Sequence, residues 1–395
     1  MLHLKLNSHN YKHQINMKYF TCAFALVAYV AGVFGFPSYA VAKPSIETVW
    51  SVDVDQRLPN SPLALSSPAI VQHEGETWVV IGGRDGWVHV YDLDSGSEVR
   101  RFPLRAPSDS GALALRNGLV VLGDIQGHLY AVDPAQGKVV WQKSLTAAFT
   151  IPPLPLGDDF LVQTGDNELY RFSNNGEKRW SYTGSKNSLS FYFGAEAMIQ
   201  DDTIYAVLNN GDALALKAYT GDVVWKRQTI VSSIASTLTD LKAPLAKPLL
   251  LSQLHLAGEE VSDALLVPIF QGELVVLSAK DGSQSFDVPV SLKSAPLAVG
   301  KQMFMADSFG FLHVYNKTKG NRVWSKKISS NALMGPVLFD GSLWLTDNQG
   351  HVFRVNKNGD IESSKALQGN IARLPIVTSQ GLIIRTDRGV MIMVK

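Results

Sequence analysis

The sequence predicts an all-β protein, an eight-bladed β-propeller with four antiparallel strands in each blade. Two observations lead to this prediction. A strand–turn–strand unit recurs eight times between Pro44 and the C-terminus. The chain also ends one strand short of a full unit and begins with one unpartnered strand. Units of about forty residues, each with four short strands, are typical of propeller blades.

The recurring unit is best preserved in residues 126–141, which read QGHLYAVDPAQGKVVW. A turn residue precedes a strand that is apolar on both faces, and a second strand ends in tryptophan. A strand with two apolar faces is expected to be covered on both sides, here by neighbouring blades. The eight turn residues are Gly86, Gly127, Asn167, Gly211, Gly272, Gly310, Gly350 and Gly389.

Two further strands precede each turn, and several of the first ones begin with a proline, such as Pro68 and Pro336. Proline is tolerated at the first residue of a strand because no ladder hydrogen bond is lost there. A large ring at the end of the fourth strand is expected to pack between blades. Six units have an aromatic residue at this position: Trp50, Trp141, Trp180, Trp225, Trp324 and Phe286. The first and seventh units have Arg100 and Ser363 instead, and we expect weaker junctions between blades there.

The two ends of the chain are predicted to close the ring. After Gly389 the chain runs through one apolar strand to Lys395 and lacks a fourth strand. Residues 46–54 have the character of a fourth strand with nothing before it. Pairing these two segments completes the eighth blade and removes an edge that would otherwise be open to aggregation.

Residues 1–42 are predicted to be a signal peptide, with Met17 as an alternative start, and residues 43–395 a single propeller domain. An apolar run from Tyr19 to Phe36 precedes small residues before Lys43, as in a secretory leader. A retained membrane anchor is the alternative interpretation.

The only cysteine, Cys22, lies inside the predicted leader and has no lipoprotein box around it. The mature chain is therefore expected to contain no thiol, no disulfide and no cysteine nucleophile. A net charge of +1 without a basic cluster argues against a nucleic-acid partner.

No catalytic, cofactor-binding or metal-binding residue is predicted. No serine lies in a Gly-x-Ser-x-Gly elbow, and no pair of histidines has metal-ligand spacing. His89 and His313 fall in the apolar strand column and are interpreted as packed residues. His128 and His351 lie beside turns, where a solvated polar residue is ordinary.

Function is predicted where the repeat is interrupted. Residues 186–194 carry large apolar side chains between blades three and four, and a long passage follows Trp225 before blade five, which lengthens again from Gln253 to Asp263. Insertions on repeat scaffolds usually bind partners, although these loops could instead pack on each other. The predicted partner-binding residues are Leu189, Phe191, Tyr192, Phe193, Ile230, Leu238, Asp240 and Leu241.

The unit Gly-x-Leu-Tyr-Ala-Val-Asp-x-x-x-Gly-Lys-Val-Val-Trp resembles the repeat of pyrroloquinoline-quinone (PQQ)-type propellers, which include dehydrogenases and non-catalytic relatives. Residues 46–395 resemble more closely the BamB family of the outer-membrane β-barrel assembly machinery. The segment Ser188-Leu-Ser-Phe-Tyr192 stands where that family carries Ser-Leu-Ser-Leu-Arg-Gly. Tyr192 replaces the arginine, and residues 242–247 replace an acidic pair.

The resemblance implies a non-catalytic, monomeric scaffold in the periplasm, peripherally associated with the outer membrane through its partner. It implies binding to the periplasmic POTRA domains of the barrel-forming assembly protein, with unfolded outer-membrane proteins as further candidates. No cofactor is expected. The open alternatives are a quinone- or calcium-binding propeller that uses its central channel, and a paralogous scaffold of another envelope complex.

Overall fold

The computed structural model describes residues 45–55, 66–185, 194–230 and 242–395. Within these ranges the chain forms thirty-two strands, arranged as eight four-stranded antiparallel sheets, and no helix. The sheets belong to one compact unit, Pro44–Lys395. The predicted eight-bladed propeller is confirmed. The predicted leader, including Cys22, lies outside the described residues.

Each blade runs from a first strand at the centre of the ring to a fourth strand at the rim. The strands of blades one to four are β2 (Ala69–His73), β3 (Glu76–Gly82), β4 (Trp87–Asp92), β5 (Glu98–Pro103), β6 (Leu113–Ala114), β7 (Val120–Gly123), β8 (His128–Asp133), β9 (Lys138–Ser144), β10 (Leu154–Leu156), β11 (Asp159–Gln163), β12 (Glu168–Ser173), β13 (Lys178–Thr183), β14 (Met198–Gln200), β15 (Thr203–Val207), β16 (Asp212–Lys217) and β17 (Val223–Gln228).

Blades five to eight follow the same order, except that the fourth strand of blade eight comes from the start of the chain. Their strands are β18 (Leu249–Leu256), β19 (Glu259–Pro268), β20 (Leu274–Ser278), β21 (Gln284–Val288), β22 (Leu297–Val299), β23 (Gln302–Ala306), β24 (Phe311–Asn316), β25 (Arg322–Lys327), β26 (Leu333–Phe339), β27 (Ser342–Asp347), β28 (His351–Val355), β29 (Ile361–Ala366), β30 (Ile376–Val377), β31 (Leu382–Arg385), β32 (Val390–Val394) and β1 (Thr48–Asp53).

The ring closes as the sequence predicts. Strand β1 pairs antiparallel with β32, with Ser51 opposite Ile392 and Asp53 opposite Val390. The ladder extends to the C-terminus, because Glu47 and Lys395 exchange backbone hydrogen bonds of 3.0 and 3.1 Å. The outer edge of blade eight is thereby covered by the chain's own first strand.

The third strand has buried residues on both faces in seven blades, and in blade six one of its faces is half-buried. The residue two positions after each turn residue has no exposed surface, whichever blade it belongs to. This confirms that each sheet is covered by two neighbours. The eight residues are Val88, Leu129, Leu169, Ala213, Leu274, Leu312, Val352 and Met391.

The eight predicted turns share one hydrogen bond, in which the turn residue's N–H donates to the carbonyl three residues earlier. Seven turn residues adopt positive φ, but in blade five Gln271 does so (φ 56°) and Gly272 does not. The turn of blade five thus has its left-handed residue one position earlier than the other seven turns. Pro336 also differs from expectation, because it lies inside β26 at a register irregularity between Met334 and Val337.

The tryptophans join consecutive blades. The indole of Trp225 donates to the carbonyl of Ala279 at 2.8 Å, and its ring covers Gly282 in the next blade. Gly282 has a φ of +70°, and a Cβ there would lie 2.5 Å from the ring. Glycine is therefore required for both its conformation and its close approach. The same indole bond to the next blade is made by Trp50, Trp141 and Trp180.

Blade five compensates for its missing tryptophan with a longer hairpin. Strands β18 and β19 extend until the His255 N–H donates to the Lys317 carbonyl of blade six at 2.7 Å, and Leu256 bridges Gly320. The lengthened segment from Gln253 to Asp263 is thus a structural contact. It lies at the opposite end of the ring from the turns between second and third strands.

A buried ion pair strengthens the junction between blades eight and one. Arg385 Nη2 lies 2.8 Å from both carboxylate oxygens of Asp55, and both side chains are buried. The backbone N–H of Arg84, in the turn of blade one, donates to the same carboxylate at 2.9 Å. Asp55 therefore satisfies groups from both blades.

We expect Trp225→Ala to lower the free energy of unfolding by about 3–5 kcal/mol, because a large buried ring and its hydrogen bond are lost. Arg100→Ala, at the same repeat position in blade one, is expected to cost about 1 kcal/mol, because Arg100 is exposed and contributes mainly its stem. Urea unfolding followed by circular dichroism measures both values. Equal losses would contradict the role assigned to the tryptophan.

We expect Asp55→Ala to destabilise the protein by about 3–5 kcal/mol, because it leaves the Arg385 guanidinium buried without its counter-ion. The double variant Asp55→Ala, Arg385→Met should be more stable than the single variant, since the unpaired charge is gone. Thermal unfolding of the three proteins tests this order. A double variant less stable than Asp55→Ala would show that Arg385 stabilises the ring by another route.

Candidate interaction face

The turns between second and third strands and the passages between blades lie at one end of the ring, because successive strands reverse direction. We call this end the turn face. The described residues that flank the two interruptions belong to it. Ser185 accepts a hydrogen bond from the Asn167 amide at 2.9 Å, and Lys242 lies against the turn at Gly272. The interruptions are thus attached to one end of the ring.

Seven of the eight predicted partner-binding residues lie outside the described residues, and their role stays a prediction. They are Leu189, Phe191, Tyr192, Phe193, Leu238, Asp240 and Leu241.

The eighth, Ile230, is half-buried and packs beside the blade-four turn, where a Cβ at Gly211 would lie 2.7 Å from its own. It also contacts the buried cluster that contains Ala213 and Ile269. Ile230 therefore contributes to packing between blades four and five, which agrees with the loop-packing alternative at this residue.

Charged residues surround the mouth of the central channel at the turn face. Arg84 makes a bidentate pair with Asp109 at 2.6 and 2.9 Å. Arg373, just before blade eight, reaches the carbonyl of Thr150, just before blade three, at 3.0 Å. Burial lowers the pKa of the Arg373 guanidinium, and the carboxylates of Glu196 and Asp109 oppose this shift. No local sequence signal marks these residues, because each comes from a different repeat.

Blade six contains a serine, a histidine and an aspartate in hydrogen-bond contact. Ser325 Oγ lies 2.9 Å from His313 Nδ1, and His313 Nε2 lies 3.0 Å from Asp307. In a serine hydrolase the carboxylate orients Nδ1 and the serine contacts Nε2, so the two nitrogens are exchanged here. Tyr130 makes the equivalent bond to Asp124 in blade two, at 2.6 Å. The contact therefore satisfies a buried turn carboxylate in both blades.

Hydrogen bonds lower the pKa of two turn carboxylates, Asp307 and Asp347. Burial alone would raise the pKa of Asp307, but His313 and the backbone N–H groups of Phe311 and Phe309 lower it below its ordinary value. The pKa of Asp347 is lowered in the same way by Ser329, Asn331 and backbone N–H groups. The acceptors are thus occupied within their own blades, which suits a structural role.

Across residues 45–55, 66–185, 194–230 and 242–395, no three His, Cys, Asp or Glu side chains are grouped so that they could hold a metal ion. In the same ranges no helix has the length and apolar character needed to cross a membrane.

Comparisons with known proteins place the chain among related propellers. A family model described as outer membrane protein assembly factor BamB matches residues 84–253. The BamB of Bordetella pertussis, named as an outer membrane protein assembly factor, is 25% identical over 362 residues, which cover 89% of this chain and 87% of the relative.

Two solved structures show the same fold. The crystal structure of BamB from Moraxella catarrhalis has a TM-score of 0.71 at 20% identity and covers 89% of this chain and 99% of that one. A europium-containing methanol dehydrogenase has a TM-score of 0.62 at 13% identity, covering 86% of this chain and 84% of that one. The chain thus resembles BamB assembly factors in sequence and shares the β-propeller fold of both solved structures.

Proposed function

We propose that this protein is a non-catalytic scaffold that assists the assembly of β-barrel proteins into the outer membrane. The match to a BamB assembly factor over 89% of this chain and 87% of the relative is the observation that carries the proposal. Because fold alone does not fix function, the extended match matters more than the propeller itself.

The proposed location is the periplasm, peripheral to the outer membrane. Residues 1–42 would act as a cleaved leader, and residues 43–395 as the mature propeller, as their composition suggests. Membrane contact would come only through the partner.

The proposed partner is the barrel-forming assembly protein, bound through its periplasmic POTRA domains. Leu189, Phe191, Tyr192 and Phe193 would supply the apolar contact, with Leu238, Asp240 and Leu241 beside them. The attachment of both interruptions to the turn face supports a single binding area. Ile230 would pack between this binding area and blade four, since it is half-buried beside the blade-four turn.

We expect Leu189→Asp with Phe191→Asp to weaken capture of purified POTRA domains by at least about tenfold, because two apolar contacts at the centre of an interface would become charged. The matched control is Val140→Asp with Val224→Asp, which changes two exposed valines on fourth strands at the rim. Unchanged capture by the folded Leu189 and Phe191 variant would disprove docking through this segment. Equal loss in the rim control would show that the effect is not local.

The competing function is ligand binding in the channel, and the charged residues at its mouth are the observation that favours it. We expect calorimetry with pyrroloquinoline quinone, with and without calcium, to give no heat of binding, because Arg373 already bonds across the mouth to Thr150. Tight binding that is lost in Arg373→Ala would replace the scaffold proposal with a ligand-binding one.

A further inference from the structure

The turn of blade six differs from the other seven at one exposed position. The residue before the turn residue is polar in seven blades and is Phe309 in blade six, where 68% of its surface is exposed. A large apolar side chain held on a tight turn is costly to leave in water unless a partner covers it. The seven polar residues are Asp85, Gln126, Asp166, Asn210, Gln271, Gln349 and Arg388.

The turns of blades five and six are fixed side by side by Ser291. Its hydroxyl oxygen accepts from the backbone N–H of Gln271 at 2.9 Å, and its carbonyl accepts from the N–H of Ser308 at 2.9 Å. Phe270 and Phe309 are the neighbours of these two residues. Two aromatic residues are therefore presented by adjoining, hydrogen-bonded turns.

Lysines lie over the aromatic rings of this region. Lys293 Nζ is 4.7 Å from the centre of the Phe270 ring, and Lys327 Nζ is 4.6 Å from the centre of the Phe311 ring. Lys327 also donates to the carbonyl of Phe309. These contacts orient the ammonium groups on the turn face, since each is attracted to a ring face.

The positive charge of these lysines is not neutralised within the described part of the chain. Lys293, Lys327 and Lys242, which lies beside Gly272, form no ion pair with any described carboxylate. Asp307 of the same turn is occupied by His313 and by backbone N–H groups. Glu273 and Asp287 are exposed acidic residues nearby in sequence, and the three lysines outnumber these two carboxylates, so the local excess is positive. Burial lowers the pKa of Lys293, and a carboxylate beside it would offset that cost.

We propose that this surface, the blade five–six patch, binds an acidic segment of a protein partner in which carboxylates alternate with apolar side chains. The patch consists of Lys242, Phe270, Lys293, Phe309, Phe311 and Lys327.

Its exposed phenylalanine would receive the apolar side chains, and its lysines the carboxylates. Charge complementarity selects an acidic partner. Three lysines fall short of the roughly four to eight that anionic membrane recognition uses, which favours a protein segment over a lipid surface.

The test uses a fluorescein-labelled peptide of alternating glutamate and phenylalanine and measures fluorescence anisotropy with the full chain. The variant is Phe309→Gln with Lys327→Gln, which gives the turn the glutamine found in blades two, five and seven. We expect its affinity for the peptide to fall about tenfold, because the exposed ring and one cation are both removed. Added salt should weaken binding to the unaltered protein, since the contact includes exposed charges.

Two controls separate the patch from general effects. Arg101→Gln alters a guanidinium that lies 5.5 Å from the centre of the Trp87 ring on blade one, and it should leave the affinity unchanged. A peptide with glutamine in place of glutamate should bind at least about tenfold more weakly, because the opposite charges are gone. Circular dichroism and the melting temperature confirm that the variants are folded.

Equal affinity of the two peptides, or an unchanged affinity of the folded Phe309 and Lys327 variant, would overturn the proposal. So would binding to phosphatidylglycerol vesicles, lost in the same variant, without binding to the acidic peptide. The patch shares no residue with the Leu189–Phe193 segment, so its failure would leave the proposed scaffold function standing.

Discussion

The structure depends on burial of each third strand between two neighbouring sheets. Leu129 and Leu312 are fully buried because each packs into a core shared with the next blade, blade three for Leu129 and blade seven for Leu312. An isolated blade would expose this strand on two faces, so stability belongs to the ring and not to its repeats. Pairing of β1 with β32 follows from this requirement, because without it blade eight would present an uncovered edge strand.

The features that recur in every blade could be predicted from the sequence. Turn residues, buried strand positions and tryptophan junctions recur at fixed spacing, so each copy supports the others, and the closing strand follows from their count. A contact that occurs in only one blade leaves no periodic pattern in the sequence. The bond from Arg373 to Thr150 joins residues 223 positions apart, and the link of His255 to Lys317 depends on one extended hairpin.

The candidate site was less predictable than the fold, for a related reason. Interruptions of a repeat can be located from sequence, but whether a side chain there faces solvent depends on tertiary packing. Ile230 belongs to a predicted binding loop and yet packs beside Gly211. Phe309 sits inside a regular turn, and only comparison with the same position in the other seven blades reveals that it is unusual.

In a propeller, the residues that stabilise the fold and the residues that can be substituted without loss of stability lie in different parts of each blade. A substitution in the third strand disturbs a core that two blades share, whereas a residue at the corner of a turn contacts little beyond its own backbone. The blade-six turn keeps its aspartate, its glycine and their hydrogen bonds, so the exchange of a polar residue for Phe309 leaves the frame intact. An aromatic residue can therefore replace a polar one at this position with little loss of stability. Because the fold does not require the exposed ring of Phe309, binding to a partner explains it better.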